Sequence, residues 1–189
     1  MHHDILRLFM KSEINKWIGI VKEAWSDLIY DYRRISERSG YGHMREEDIR
    51  CFLFCKIMNL LRRRDEVLIN LHADVPVSDR KTIDIGLGLE ENKWELGVEI
   101  KRTGDIQAIK NDLQKLRNFI LNKKIEAGIF LTIADHSANL KDKFQQIINA
   151  EYELEEKDTC NNNFVEWQRI KIDEYNVDWD ALFLVLRKV

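Results

Sequence analysis

Apolar residues in the first third of the chain recur at spacings of three and four. Ile14, Trp17, Ile18, Val21, Trp25, Leu28, Ile29 and Tyr32 follow this rule, which lines them up on one face of a long amphipathic helix. Ser39-Gly40-Tyr41-Gly42 is expected to end that helix. A second helix is expected from about Arg45 to Arg64, with Ile49, Phe52, Leu53, Ile57, Leu60 and Leu61 turned inward. Beyond Arg64 the period drops to two. Val67 to Ala73 reads as a strand, followed by a loop through Pro76 and Asp79. Thr82 to Leu89 and Trp94 to Lys101 alternate strictly, with Glu90-Glu91-Asn92-Lys93 between them as a hairpin connector. Ile106 to Leu121 returns to the helical period through Ile106, Ile109, Leu113, Leu116 and Ile120. Ala127 to Ile133 is almost wholly apolar, as in a strand covered on both faces. A helix over Ser137 to Ala150 and late strands over Phe164 to Ile172 and Ala181 to Leu186 complete the expected order.

The two alternating strands each present one ordinary face and one unusual face. Ile83, Ile85, Leu87 and Leu89 are expected on one side of the first strand, with Thr82, Asp84, Gly86 and Gly88 on the other. Leu96, Val98 and Ile100 share one side of the second, and Glu95, Gly97, Glu99 and Lys101 share the other. With the hairpin tip at Glu91 and Asn92, Leu89 pairs with Trp94 and the count places Asp84 opposite Glu99. Lys101 then lies opposite Thr82, diagonal to Asp84. Two carboxylates facing each other across a ladder repel by a few tenths to ~1 kcal/mol. A cation between them removes that cost. Two carboxylate oxygens, a backbone carbonyl and water suit Mg²⁺, which takes few protein ligands and keeps several waters. The glycines are expected to leave space on this face for a ligand.

Composition narrows the reading without directing it. The chain has 189 residues, 44% of them apolar, with one proline and no linker rich in Gly, Ser or Pro. That favours a single globular α/β domain, residues 1–64 forming helices packed on a core of residues 65–189. No apolar run approaches ~18 residues, so no membrane span is expected. The N-terminus lacks the basic and apolar pattern of a signal peptide. Cys51, Cys55 and Cys160 cannot all pair, and reduced thiols in a cytoplasmic protein are the expectation. A zinc site is not expected, because His43, His72 and His136 are scattered. The net charge of -3 disfavours wrapping of a long duplex by the whole surface. Local basic clusters, such as Arg62-Arg63-Arg64 and Lys110, Lys115 and Arg117, leave phosphate binding open. The acidic tract from Glu151 to Asp158 offsets them in the total.

Asp84, followed fifteen positions later by Glu99-Ile100-Lys101 on an adjacent strand, resembles the PD-(D/E)xK nuclease superfamily, with its restriction-endonuclease-like fold. The resemblance covers about Glu46 to Ile133, in the order helix, three strands, helix, strand. Ile83 stands where that motif has proline. Other acid-x-lysine triplets, Asp79-Arg80-Lys81, Glu91-Asn92-Lys93 and Glu155-Glu156-Lys157, have no strand-borne acid opposite them. The resemblance implies a mixed central sheet flanked by helices. It also implies that Asp84, Glu99 and the Ile100 carbonyl hold one or two Mg²⁺ or Mn²⁺ ions, with Lys101 positioning the attacking water or stabilising charge on phosphorus. Glu46 lies three residues before Ile49 and seven before Leu53, in line with the apolar stripe. It resembles the helix-borne glutamate that the superfamily often brings to this site, to support the metal or orient Lys101. Glu47 and Asp48 point toward the margin and solvent, where favourable interaction with the helix dipole is the plain reading. The implied function is metal-dependent hydrolysis of phosphodiester bonds in nucleic acid, DNA before RNA, with the oligomeric state open and a homodimer among the alternatives. The rival is the same fold kept as a non-catalytic binding or interaction module.

Overall fold

The computed structural model describes residues 2–39, 45–64, 70–78, 81–90, 93–102, 105–135, 139, 141–146, 160–172 and 177–188. Two helices lead, α1 (His2–Ser39) and α2 (Glu46–Arg63). They are followed by strands β1 (Asn70–Ser78), β2 (Lys81–Gly88) and β3 (Leu96–Lys101), helix α3 (Ile106–Leu121), and strands β4 (Ala127–Asp135), β5 (Cys160–Ile172) and β6 (Val177–Lys188). The six strands form one mixed sheet in the order β1-β2-β3-β4-β6-β5. Only β3 and β4 run parallel, and α3 is the crossover between them. From α2 to β4 the elements therefore follow as helix, three strands, helix, strand. No helix among the described residues is long and apolar enough to cross a membrane.

The sheet lies between two helical layers, and alternation along each strand decides which layer a residue meets. Leu96, Val98, Ile100, Ala127, Ile129, Leu131, Ala181 and Phe183 join Trp17, Trp25, Leu28, Leu53 and Ile57 in one core under α1 and α2. Phe130, Leu182, Leu184 and Leu186 join Ile109, Leu113, Leu116 and Ile120 in a second core under α3, together with Phe144 from the helical segment 141–146. Residues 137, 138, 140 and 147–150 of the helix expected over Ser137 to Ala150, the 151–158 tract and the turn residues Glu91 and Asn92 lie outside the described residues.

The expected strands are found with different limits. β1 runs through Pro76, where a loop was expected. It is an edge strand, so the missing proline N–H removes no interior ladder bond, and the register breaks only between Pro76 and Ser78. Both late strands are longer than their apolar runs, since pairing with each other over twelve positions carries them past Phe164 and Ala181. Within α1 and α2, Ile18 and Phe52 are half-buried, while Ile20 and Ala24 are buried.

Local chemistry fixes the helices that carry charge to the sheet. Asp105 caps α3, its Oδ1 accepting the Gln107 N–H at 2.8 Å. At the start of α2, Asp48 Oδ2 accepts the Arg45 N–H at 3.1 Å. Three acids in the first turn and Arg62 and Arg63 in the last complement the helix dipole.

Candidate active site

The expected hairpin register is kept where the strands pair, but Leu89 and Trp94 do not pair: the Leu89 N–H goes to Glu95 Oε2 at 2.9 Å instead. Glu90 bridges Lys93, and Leu87, Gly86 and Ile85 pair with Leu96, Gly97 and Val98. One further step in the same register sets Asp84 against Glu99. The ladder stops one pair short of them, however, and the Asp84 side chain takes over: its Oδ2 accepts the Ile100 N–H at 2.7 Å.

Two expectations about this hairpin are overturned. Ile83 does not share a face with Ile85: it packs in the α3 core, while Ile85 packs in the α1–α2 core. The pleat thus changes phase at Asp84. On the neighbouring edge strand Asp74 has a left-handed φ of 51°, flanked in unchanged register by the pairs Ala73↔Ile85 and Val75↔Ile83. This local irregularity turns the Asp84 carboxylate to the amide of the next strand. The glycines, moreover, do not open the face to a ligand. A Cβ at Gly97 would lie 2.7 Å from Ile83 Cδ1, one at Gly86 2.9 Å from the Trp94 ring, and one at Gly88 1.9 Å from the Lys93 carbonyl. Trp94, Lys93 and the displaced Ile83 already fill that space.

The predicted residues gather around the C-terminal end of β3, with partners the sequence reading did not assign. Glu99 is 3% exposed; its Oε2 accepts a hydrogen bond from Lys115 Nζ of α3 at 2.6 Å. Its other oxygen, Oε1, is buried without a partner. Lys101 pairs with Glu46 Oε1 at 3.5 Å and with Asp112 Oδ2 at 3.8 Å. Asp112 also faces Lys115, 3.8 Å away through Oδ1. Glu46 Oε2 accepts the Arg102 N–H at 3.0 Å, which ties the start of α2 to the end of β3. Arg50, one turn along α2, lies 3.5 Å from Asp84 Oδ1 and pairs closely with Asp74.

Burial dominates the electrostatics. It pushes the Glu99 carboxyl up to about 8, the charge on Asp84 adds to the shift, and Lys115 opposes it. Burial also raises Asp84 above the usual carboxylate range, against the Ile100 amide, Lys115 and Arg50. At Lys101 burial works downward, but Glu46, Asp112 and Asp84 outweigh it and the ammonium is held above its ordinary value. Protons are favoured on Asp84 and Glu99 and positive charge on Lys101, the condition in which a cation is welcome.

Among the described residues no three Asp, Glu, His or Cys side chains converge as a ligand set. Two carboxylates remain, with Glu99 Oε1 buried and unpartnered and Asp84 Oδ1 opposite only Arg50. That donor set is compatible with Mg²⁺ or Mn²⁺, which need one or two carboxylates and water. It does not suit zinc, which takes a closed set of nitrogen and sulfur ligands. Cys51 and Cys55 are free thiols exposed on α2.

Asp112 and Lys115 carry a signal that a helical wheel can read. Asp112, Lys115 and Phe119 are spaced by three and four on one flank of the α3 stripe, whereas Gln107, Lys110 and Gln114 lie on its outer side. The flank faces the sheet. Gln107 and Gln114 hydrogen-bond along the helix surface to Asn111 and Asn118.

Comparison with protein-family models, with curated proteins and with solved structures yields no match for this chain.

Proposed function

We propose that the protein is a metal-dependent nuclease of the PD-(D/E)xK type, acting on DNA in preference to RNA. The observation that carries this reading is the meeting of Asp84 and Glu99 on adjacent strands, with one Glu99 oxygen buried and unpartnered. Asp84, Glu99 and the Ile100 carbonyl would hold the ion. When bound, it supplies Lewis-acid activation of a water and of the scissile phosphate. Lys101, 29% exposed at its side chain, presents its ammonium to the incoming phosphate and stabilises charge that develops there. Glu46 orients Lys101 through the 3.5 Å pair and fixes the strand end through Arg102. The preference for DNA rests on the superfamily resemblance alone.

A second reading has its own observation. Lys115 and Arg50 already oppose the carboxylate pair with positive charge, as a fold retained for binding would need.

The deciding experiment incubates the full chain with duplex, single-stranded, flapped and branched DNA and with RNA, in Mg²⁺ or Mn²⁺ and in EDTA. Metal-dependent cleavage lost in Asp84→Ala, Glu99→Ala and Lys101→Ala supports the nuclease. Glu46→Gln should lower turnover tenfold or more, about 1.4 kcal/mol in the barrier, with Glu47→Gln near wild type. Cleavage that survives both EDTA and Lys101→Ala would exclude the mechanism, and no cleavage of any substrate would favour the binding module.

A further inference from the structure

Lysine in the superfamily motif is Lys101, yet the ammonium that touches the motif glutamate is that of Lys115. It comes from the third turn of α3, fourteen residues further along the chain. Its Nζ lies 2.6 Å from Glu99 Oε2, and its side chain is only 23% exposed. Lys101 is turned to Glu46 and Asp112 instead. Asp112 stands between the two lysines, one oxygen 3.8 Å from each ammonium.

Lys115 belongs to a cluster in which acids outnumber bases. Glu46, Asp84, Glu99 and Asp112 contribute four carboxylates, and Arg50, Lys101 and Lys115 three cations. Arg50 is shared with Asp74, and Lys101 with Glu46 and Asp112. Lys115 is therefore the principal positive charge directed at Glu99, the most deeply buried acid of the group. Its ammonium holds one oxygen of a carboxylate that a divalent ion bound by Asp84 and Glu99 would also use. Two cations on one carboxylate repel strongly where water is excluded, so the lysine and the ion cannot both hold Glu99 at full strength.

We propose that Lys115 is a resident counter-ion of the Asp84–Glu99 pair, which a divalent cation must displace to bind. The idea rests on the metal-dependent reading and adds a positioning residue to it. In the metal-free protein the Lys115 ammonium supplies positive charge to the Asp84–Glu99 pair through its 2.6 Å contact with Glu99 Oε2 and holds the site together; on cation binding it gives way. Its presence weakens cation affinity, and its removal strengthens it. An ion pair kept only for folding would behave differently: its removal would destabilise the metal-free protein and leave cation affinity unchanged.

The test is calorimetric titration of Mn²⁺ into the full chain, without substrate, paired with thermal melts in EDTA. Variants are Lys115→Met, Lys115→Gln, Lys115→Arg and Asp84→Asn. Lys115→Gln keeps a donor for Glu99 without the charge, so it serves if the methionine variant does not fold. The expected result is Mn²⁺ binding tightened at least tenfold in Lys115→Met or Lys115→Gln, with Lys115→Arg within twofold of wild type. The metal-free melting temperature should fall in the two neutral variants. Affinity unchanged or weaker in both neutral variants overturns the counter-ion role while leaving the metal site standing. Absence of Mn²⁺ binding in wild type, or binding that survives Asp84→Asn, overturns the metal reading itself and this role with it.

Discussion

The two faces of the sheet are made by alternate residues of the same strands, and they bury different things. Under α1 and α2, β3 contributes Leu96, Val98 and Ile100 to an unbroken apolar core. Under α3, the same strand contributes Gly97, Glu99 and Lys101, and only the strands beyond it supply a full apolar row through Phe130, Leu182 and Leu184. Burial under α1 and α2 stabilises at roughly 25 cal/mol per Å² of apolar surface. Burial of Glu99 and Asp84 does the reverse, because desolvation disfavours their charged forms. A charged patch at the strand end of an otherwise well-packed sheet is thus a standing cost in a fold that could have placed apolar residues there. Costs of this kind concentrate at sites that act on something.

The sharpest way to break that contrast is to cut into the apolar face. Leu53, fully buried on α2, should cost about 2–5 kcal/mol when changed to alanine. Metal-dependent cleavage per folded molecule should stay within twofold of wild type. Urea denaturation gives the first quantity and cleavage normalised to folded fraction the second. A large loss of cleavage in protein that remains folded would show that the two faces are not separable.

The contrast was largely legible in the amino-acid order, because periods of two and three to four assign residues to faces before any contact is known. The alternation along β3 and the hairpin length place Asp84 against Glu99, one register step beyond the last observed pair, Ile85↔Val98. Three features were not legible. The change of pleat at Asp84 depends on the irregular neighbour at Asp74, which belongs to a strand with its own proline. The closed packing over Gly86, Gly88 and Gly97 depends on where Trp94 and Ile83 turn, a tertiary choice that overrides strict alternation. The partner of Glu99 depends on which flank of α3 faces the sheet. The wheel places Asp112 and Lys115 on one flank, but only the crossover from β3 to β4 says that this flank meets Glu99.

A second prediction sharpens the contrast through pH. An acid whose folded-state value is raised binds its proton more tightly in the folded chain than in the unfolded one. Between the ordinary glutamate value of 4.5 and about 8, the folded protein holds a proton at Glu99 that the unfolded chain has lost. The unfolding free energy therefore falls as pH rises through that window, by at most about 1.4 kcal/mol per unit from this group. Asp84 and Glu95, both raised chiefly by burial, add in the same direction. The raised Lys101 contributes nothing across this window, since its stabilisation is lost only above its ordinary value of 10.5. Denaturation in EDTA from pH 5 to 8 should show declining stability, and Glu99→Gln should flatten the decline without removing the part due to Asp84 and Glu95. A wild type whose stability is level across this range would mean that Glu99 is not held protonated.

The smallest expected effect has the opposite sign to the first. Asp84→Asn keeps an oxygen to accept the Ile100 N–H, the strongest bond the carboxylate makes here. It removes the charge that raises Glu99, and Arg50 retains Asp74 as a partner. At neutral pH in EDTA the substitution should therefore stabilise the protein, by up to about 1 kcal/mol. Wild type should gain stability from Mg²⁺ or Mn²⁺, about 2.7 kcal/mol at a hundred times the dissociation constant, and Asp84→Asn should lose most of that gain. Thermal melts of the two proteins with and without metal measure both quantities. A variant less stable than wild type in EDTA, with an undiminished response to metal, would mean that Asp84 is held for its hydrogen bond alone. The charged end of β3 would then be an ordinary part of the fold, no different in kind from the apolar face behind it.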